Sequence, residues 1–429
     1  MRTLVVLSCV LVVAAALPGL HTNLHGGDKF IVVVVLFRAQ VLRVVPEEAA
    51  QVHYLKALHL QDLYDFWTEP RVVGSPVDIM APAFQLPVLK KTLTQVGLKF
   101  TTMISDVGGL VAQEKAARDA ARASAPGTMD WTSYHEYDEI MGWMDTVAKD
   151  HPDVCTVENV GKSYQQHDMK LLKLGKGVNK PIIFLEGGLE GREWISPAVL
   201  TYIIDQLVTK KETYDDLLSN VNFYFMPIVN PDGYYYTYTT DRLWRKTRSK
   251  TNSPQNCYGV DANRNWNIHW MEVGASDDPC SEEYAGSEPF SEVEMRNVRD
   301  EIIKYSDYID AYLSFHSYSQ LWSSPWCWTT DLPDDWTDLD DLAHSIVEAV
   351  TAVHGEVYET GSCALSGPAS GGSADWAKAV VDAKYSYTIE LRDKGEFGFL
   401  LPEDQIIPTG EETMAGVLLL ANFIKDNYS

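Results

Sequence analysis

The sequence predicts a large α/β domain preceded by a small α+β unit, on three observations. Apolar strand-like runs alternate with amphipathic helical runs from residue 129 to the end. Shorter runs of both kinds alternate between about 38 and 110, and an Ala-, Arg- and Asp-rich stretch with no apolar face beyond alanine lies between the two regions. In the first unit, Ala39–Val45, Val77–Ala81 and Lys99–Ser105 read as strands, and Gln51–Phe66 and Pro87–Val96 as helices. The stretch 111–127 reads as a helix or linker with Arg118 and Arg122 open to a trypsin-like protease, which places a domain boundary near 122–128. In the second unit the strands are Pro181–Leu185, Val221–Pro227, Tyr308–His316 and Tyr385–Arg392. Its helices are Tyr134–Lys149, Pro197–Thr209, Ser291–Ser306, Leu339–Val353 and Glu411–Asp426.

Composition narrows the function. With 429 residues, 45% of them apolar, the chain can bury more than one core. Sixty acidic against 35 basic side chains give a formal charge of −25, which repels phosphate backbones and argues against a nucleic-acid partner. Arg2 followed by an apolar run from Leu4 to Ala16 reads as a secretory leader over 1–16 and predicts an extracellular protein. The Phe30–Phe37 run is only eight residues, far below the ~20 that cross a bilayer, so no membrane association is expected. Loss of Cys9 with the leader leaves Cys155, Cys257, Cys280, Cys327 and Cys363, an odd set in an oxidising destination.

Four segments carry chemistry. Gly187-Gly-Leu-Glu190-Gly-Arg-Glu193-Trp-Ile-Ser follows one strand, and Ser314-Phe-His316-Ser-Tyr-Ser-Gln ends another. Such strand ends are where α/β sheets place ligands. The third runs from Asp241-Arg-Leu-Trp244-Arg245 to Asp261-Ala-Asn263-Arg264, and the fourth is Thr388-Ile-Glu390-Leu-Arg. Glu190, Glu193 and His316 could supply three ligands to one Zn²⁺ and leave a position for water, the catalytic arrangement. Glu390, ending a buried strand, could take a proton from that water. Arg245 could stabilise a developing oxyanion. Asn263 and Arg264 form a fork suited to a carboxylate. A free-carboxylate site beside a hydrolytic metal implies an exopeptidase acting at C-termini. His269-Trp-Met-Glu272 is a literal His-x-x-Glu but sits in a loop and reads as a decoy, and no His-Glu-x-x-His occurs anywhere.

At these segments the chain resembles the secreted zinc metallocarboxypeptidases of the digestive A/B type, from about residue 36 onward. The prosegment strings Ala39-Gln-Val-Leu-Arg-Val-Val-Pro46 and Phe66-Trp-Thr-Glu-Pro70 share the likeness. The resemblance implies a mixed eight-stranded sheet between helices over 123–429. It also implies a prosegment over 17–122 whose α+β prodomain, about 38–110, is followed by a linker and removed by a trypsin-like protease. It implies peptide substrates with a free C-terminus, one zinc per chain and a Cys257–Cys280 disulfide. Arg192, Tyr318 and Phe399 would contact the peptide upstream of the scissile bond.

Two positions depart from the family pattern. Glu190 stands where the first metal-ligand histidine belongs, and Gly367 stands where a tyrosine closes over the bound C-terminus. Glu190 should face Asp261 as a like charge, which raises one of the two carboxyls unless a proton or cation intervenes, and it should bind zinc less tightly and slow turnover. The residue after Gly-Gly-Ser, which in this family tunes the pocket for the C-terminal side chain, is the neutral Ala374; it implies a preference for aromatic and aliphatic residues, with Cys327 also lining the pocket. The runner-up is a catalytically impaired homologue that binds peptide C-termini without hydrolysing them.

Overall fold

The computed structural model describes residues 36–61, 63–124 and 127–428. The leader and residues 30–35 of the Ile/Val-rich run lie outside them. The chain divides into two compact units, one of residues up to 110 with 250–258 and 278–281, the other of 111–249, 259–277 and 282–429.

The first unit holds strands β1 (Gln40–Val44), β2 (Asp65–Phe66), β3 (Val77–Ala81) and β4 (Phe100–Ile104) and helices α1 (Ala49–His59) and α2 (Leu86–Gln95). The sheet order is β2-β3-β1-β4, every pair antiparallel. Leu42 and Val44 of β1, Leu55 and Leu58 of α1, Val77 and Ile79 of β3, and Leu89 and Leu93 of α2 form its core. The helix expected over Gln51–Phe66 stops at His59, because Asp65 and Phe66 pair with Met80 and Ile79 as β2. A helical apolar spacing that runs into a two-residue edge strand cannot be told apart by periodicity alone. The Cys257–Cys280 disulfide lies within this unit.

Helix α3 (Val107–Ser124) carries the chain into the second unit. There follow α4 (Tyr137–Asp150), β5 (Cys155–Lys162), β6 (Asp168–Leu174), β7 (Ile182–Glu186), α5 (Ile195–Thr209), α6 (Asp215–Asn220), β8 (Asn222–Met226), α7 (Pro231–Thr239) and α8 (Val293–Lys304). The chain ends with β9 (Ile309–Ser317), β10 (Leu321–Ser324), α9 (Trp336–His354), β11 (Glu359–Ser362), α10 (Ser373–Trp376), β12 (Tyr385–Leu391) and α11 (Ile406–Asn427). The eight strands are ordered β11-β10-β12-β9-β7-β8-β6-β5 in a mixed sheet. Its centre, β12-β9-β7-β8, is parallel.

Side-chain alternation explains why this centre is buried on both faces. Ile183 and Leu185 of β7, Leu313 and Phe315 of β9, and Tyr387 and Ile389 of β12 enter one core with α5, α9 and α11. Ile182 and Phe184, with Ile309 and Tyr312, enter the other, beside Trp266, Met295 and Trp376. Helix ends follow local chemistry: a capping box between Glu136 and Glu139 opens α4, and Gly355 at φ 84° closes α9. The outer strands β5, β6, β10 and β11 were not expected; β5, at one edge, is half exposed and charged, so its pattern carries no apolar run.

Cys327 and Cys363 form a second disulfide and Cys155 remains a buried thiol, so the odd count resolves into two bridges and one free cysteine. Burial pushes the Cys155 thiol up to about 12. Since the thiolate is the reactive form, the folded protein should not react with a thiol reagent at neutral pH, and unfolding should release one equivalent in the chain lacking its leader. Fast modification of the native protein would show that Cys155 is reachable.

Candidate active site

The site lies at the carboxyl ends of the parallel strands. His316 pairs in register with Glu390 across β9 and β12, and Glu186, the last residue of β7, pairs with Ser314. Glu190 and Glu193 sit in the turn from β7 to α5. That turn depends on Gly191, where a Cβ would lie 2.7 Å from the Gly233 backbone and 2.8 Å from the Trp244 carbonyl. No other residue fits without moving backbone on two sides.

Glu190, Glu193 and His316 are all buried and present one donor atom each within 4.8 Å of one another, and they are the one such group among the described residues. His316 Nδ1 lies 3.1 Å from Glu193 Oε2 and 3.9 Å from Glu190 Oε1. Burial and the charge of Glu190 push the Glu193 carboxyl up to about 8. Burial works to lower the His316 imidazole, but Glu193, Glu390 and Glu190 override it and raise it to about 10. Two carboxylates and an imidazole are a zinc-type donor set of the number a catalytic site uses, and their mutual repulsion is what a cation relieves. The residues present fit zinc.

Glu190 and Asp261 do not face each other as bare like charges. Arg245 stands between them, its Nη1 donating to Glu190 Oε2 at 2.6 Å and its Nη2 to Asp261 Oδ2 at 2.8 Å. Burial pushes the Glu190 carboxyl up, but Arg245, His316, Arg192 and Arg264 together outweigh it and hold it below the usual range. The expected rise therefore does not occur at Glu190, because a cation intervenes.

Asp261 Oδ1 accepts the Asn263 backbone N–H at 2.9 Å and so orients the Asn263-Arg264 pair. Asn263 Oδ1 accepts the Ser373 N–H at 3.1 Å, which leaves its amide NH₂ to donate elsewhere. Arg264 donates through Nε to the Gly274 carbonyl at 2.7 Å. Gly371, at φ 78°, brings the Ala-Ser-Gly-Gly-Ser turn against this pair; a Cβ there would lie 2.4 Å from the Arg264 carbonyl. Ala374 follows in α10, buried among the aromatic residues of the second core.

Arg192, Tyr318 and Phe399 come together. The Arg192 guanidinium lies 4.1 Å from the Phe399 ring centroid, and Tyr318 meets that ring edge-on at 5.1 Å. Arg242 ties the Arg192 and Phe399 carbonyls at 2.8 and 2.7 Å, and its guanidinium is held by Glu114 of α3 at 2.7 Å. Gly367 has φ 108°. A side chain there would be strained by about 1–3 kcal/mol unless the loop rearranged. That loop is joined to Cys327 through Cys363, and the Ala369 N–H bonds the Cys327 carbonyl at 2.8 Å.

His269 and Glu272 bond each other at 2.9 Å while His269 stacks on Trp328, away from the metal-type trio. The expectation that Arg118 is open to a protease is overturned: it is 4% exposed, its guanidinium 4.7 Å from the Tyr238 ring centroid and 5.4 Å from that of Trp194. An alanine-rich helix shows no apolar stripe, and the aromatic partners come from α7 and the turn before α5, far along the chain. Arg122 is half exposed and pairs with Glu136 and Glu139.

The zinc carboxypeptidase sequence profile matches residues 140–416, and the carboxypeptidase activation peptide profile matches 42–114. Over 303 residues the chain is 64% identical to carboxypeptidase B of Astacus astacus, covering 70% of this chain and all of that one. It is 36% identical to carboxypeptidase A2 of Rattus norvegicus across 90% of this chain and 94% of the other. The structure of thrombin-activatable fibrinolysis inhibitor superposes with a TM-score of 0.83 at 33% identity, covering 91% of this chain and 100% of that one. Carboxypeptidase A from Helicoverpa armigera superposes at 0.85 with 28% identity, over 92% and 99% of the two chains. The fold and the zinc-type site define a metallocarboxypeptidase, a hydrolase. The chain belongs to the zinc carboxypeptidase family and carries that family's activation peptide.

Asp375, beside Ala374, was not singled out from sequence. Burial pushes it up to about 7, although it accepts the Cys327 and Trp328 N–H groups at 2.9 and 3.1 Å. A carboxyl raised in the folded state favours folding fully below its unfolded value near 4, and that contribution is lost as pH rises through about 7. Asp375→Asn should therefore gain on the parent in urea midpoint between about pH 4 and pH 8. A difference independent of pH would mean that the carboxyl is already ionised at low pH.

Proposed function

We propose that this protein is a secreted zymogen that removes single residues from peptide C-termini, preferring apolar and aromatic ones, at a rate limited by Glu190. The observation that carries the reading is the trio Glu190, Glu193 and His316 with Glu390 in register beside His316. Zinc held by the trio would supply Lewis acidity toward the scissile carbonyl and make water there more acidic. Glu390 takes the proton of the attacking water and returns it to the leaving amine. Arg264 and the free amide NH₂ of Asn263 hold the terminal carboxylate. Arg192, Tyr318 and Phe399 seat the residues upstream. Arg245 stabilises the oxyanion, but Glu190 already occupies its Nη1, so the substitution costs both a neutral ligand and part of an electrophile.

The neutral, buried Ala374 supports the apolar preference, because a lysine or arginine side chain desolvated without a partner costs several kcal/mol. A basic preference is favoured instead by the 64% identical relative, named a carboxypeptidase B, and by the buried Asp375 carboxyl next to Ala374. Trypsin-treated Glu190→His should cleave a C-terminal Phe or Leu peptide at least about tenfold faster than the parent, since even changes behind a ligand are worth ~10–100-fold. Faster release of Lys or Arg across a peptide panel would overturn the specificity; equal rates and equal zinc content in the two proteins would mean that Glu190 is either a competent ligand or not at the metal, and would overturn the rate limit.

Activation should proceed by cleavage after Arg122, with residues 17–122 as the prosegment. Arg118 is packed under rings, whereas Arg122 is reachable. Glu114 then has to leave Arg242 before the upstream groove is free. Trypsin should yield a stable fragment beginning at Ala123, and Glu114→Gln should show earlier activity after the same cut. N-terminal sequencing and a progress curve check both; a first stable cut inside 130–420 would sink the boundary.

A further inference from the structure

Glu186 is fully buried at the end of β7 and has no place in the chemistry above. It is not an isolated carboxyl. Its Oε1 accepts the Ser314 hydroxyl at 2.9 Å and the Ser373 hydroxyl at 2.6 Å, and the Tyr312 hydroxyl faces the same group. Each serine leads to a different half of the site. Ser314 Oγ lies 3.0 Å from His316 Nε2, and the Ser373 N–H is the group that Asn263 Oδ1 accepts.

The direction of the hydrogen bonds follows from the acceptor. Oε1 receives both hydroxyls, and a proton that burial holds on this carboxyl sits on Oε2, so Ser314 spends its one proton on Glu186 and accepts from His316. That keeps a proton on His316 Nε2 toward Ser314, so the proton a metal would displace is the one on Nδ1, the atom facing Glu190 and Glu193. Ser373 likewise spends its hydroxyl proton on Glu186, which fixes the first turn of α10 and with it the N–H that turns the Asn263 amide outward.

We propose that Glu186 is a positioning residue that sets, through Ser314, the metal-facing nitrogen of His316 and, through Ser373, the orientation of the carboxylate-binding Asn263. One buried carboxyl would thus hold the hydrolytic and recognition halves of the site in register. The inference rests on the metal and carboxylate roles assigned above, and its two arms can be read apart.

Zinc affinity is measured by competition with a chromophoric chelator, and binding of free L-phenylalanine by calorimetry, on the trypsin-treated protein. Ser314→Ala should weaken zinc about tenfold or more with little change in L-phenylalanine binding. Ser373→Ala should do the reverse, and Glu186→Gln, which can turn an NH₂ toward either serine, should weaken both. Melting temperature is recorded for each, so that a loss of fold is not read as a loss of positioning. Folded Ser314→Ala and Ser373→Ala proteins with parental zinc and L-phenylalanine affinities would overturn the proposal and leave Glu186 as a structural carboxyl. A parent that holds no zinc would instead sink the metal reading, and the L-phenylalanine arm, comparing Ser373→Ala and Glu186→Gln with the parent, would still decide this one.

Discussion

Arg245 bridging Glu190 and Asp261 is the interaction on which the rest of the site depends. Both carboxyls are buried, and removing one partner from a buried ion pair costs about 3–5 kcal/mol because a bare charge remains. The Gly191 turn and the Asp261-Ala-Asn263-Arg264 segment come from distant stretches of chain, and they approach because this cation satisfies both. The same bond couples the metal-type trio through Asp261 to Asn263. Glu190 thus fits electrostatically into a framework that a neutral ligand would leave differently balanced, with more of Arg245 free.

A second consequence concerns negative charge. The chain is acidic overall, and its site gathers Glu186, Glu190, Glu193, Asp261 and Glu390 at one end of the sheet. Four of these groups are compensated: Glu186 by hydroxyl donors, Glu190 and Asp261 by the shared Arg245, and Glu193 by His316. Removing water from such a cluster strengthens every one of these interactions and makes any unpaired member expensive. A divalent cation fits that balance, and so does a substrate carboxylate placed at the Arg264 side rather than among the acids.

The upstream groove shows the same economy of cations. Arg242 stacks 3.6 Å from the Trp194 ring centroid, holds two backbone carbonyls of the groove and binds Glu114. Arg118 of α3 lies against the stacked rings of Trp194 and Tyr238. Helix α3 is therefore anchored by one buried ion pair and one cation over aromatic rings, contacts stronger than an exposed pair because neither is screened by water. The Cys327–Cys363 bridge and the positive φ of Gly367 shape the loop that precedes the Ala-Ser-Gly-Gly-Ser turn.

Alternation of apolar and helical runs was enough to read the α/β class, the central strands and most long helices, because buried parallel strands and amphipathic helices are written in local periodicity. His316, Glu390, Asn263 and Arg264 were legible for a related reason: each ends a strand or a turn whose residue types point to chemistry. Glu186 carried the same signal as Glu390, a carboxylate closing an apolar strand, yet its role depends on Ser314 and Ser373, which only the sheet register and the Gly371 turn bring to it. The outer strands, the Cys327–Cys363 pairing, the burial of Arg118 and the capture of Arg245 by Glu190 were decided by tertiary structure alone. Each is a contact between residues far apart in the chain, whose energy depends on distance and desolvation rather than on any local pattern.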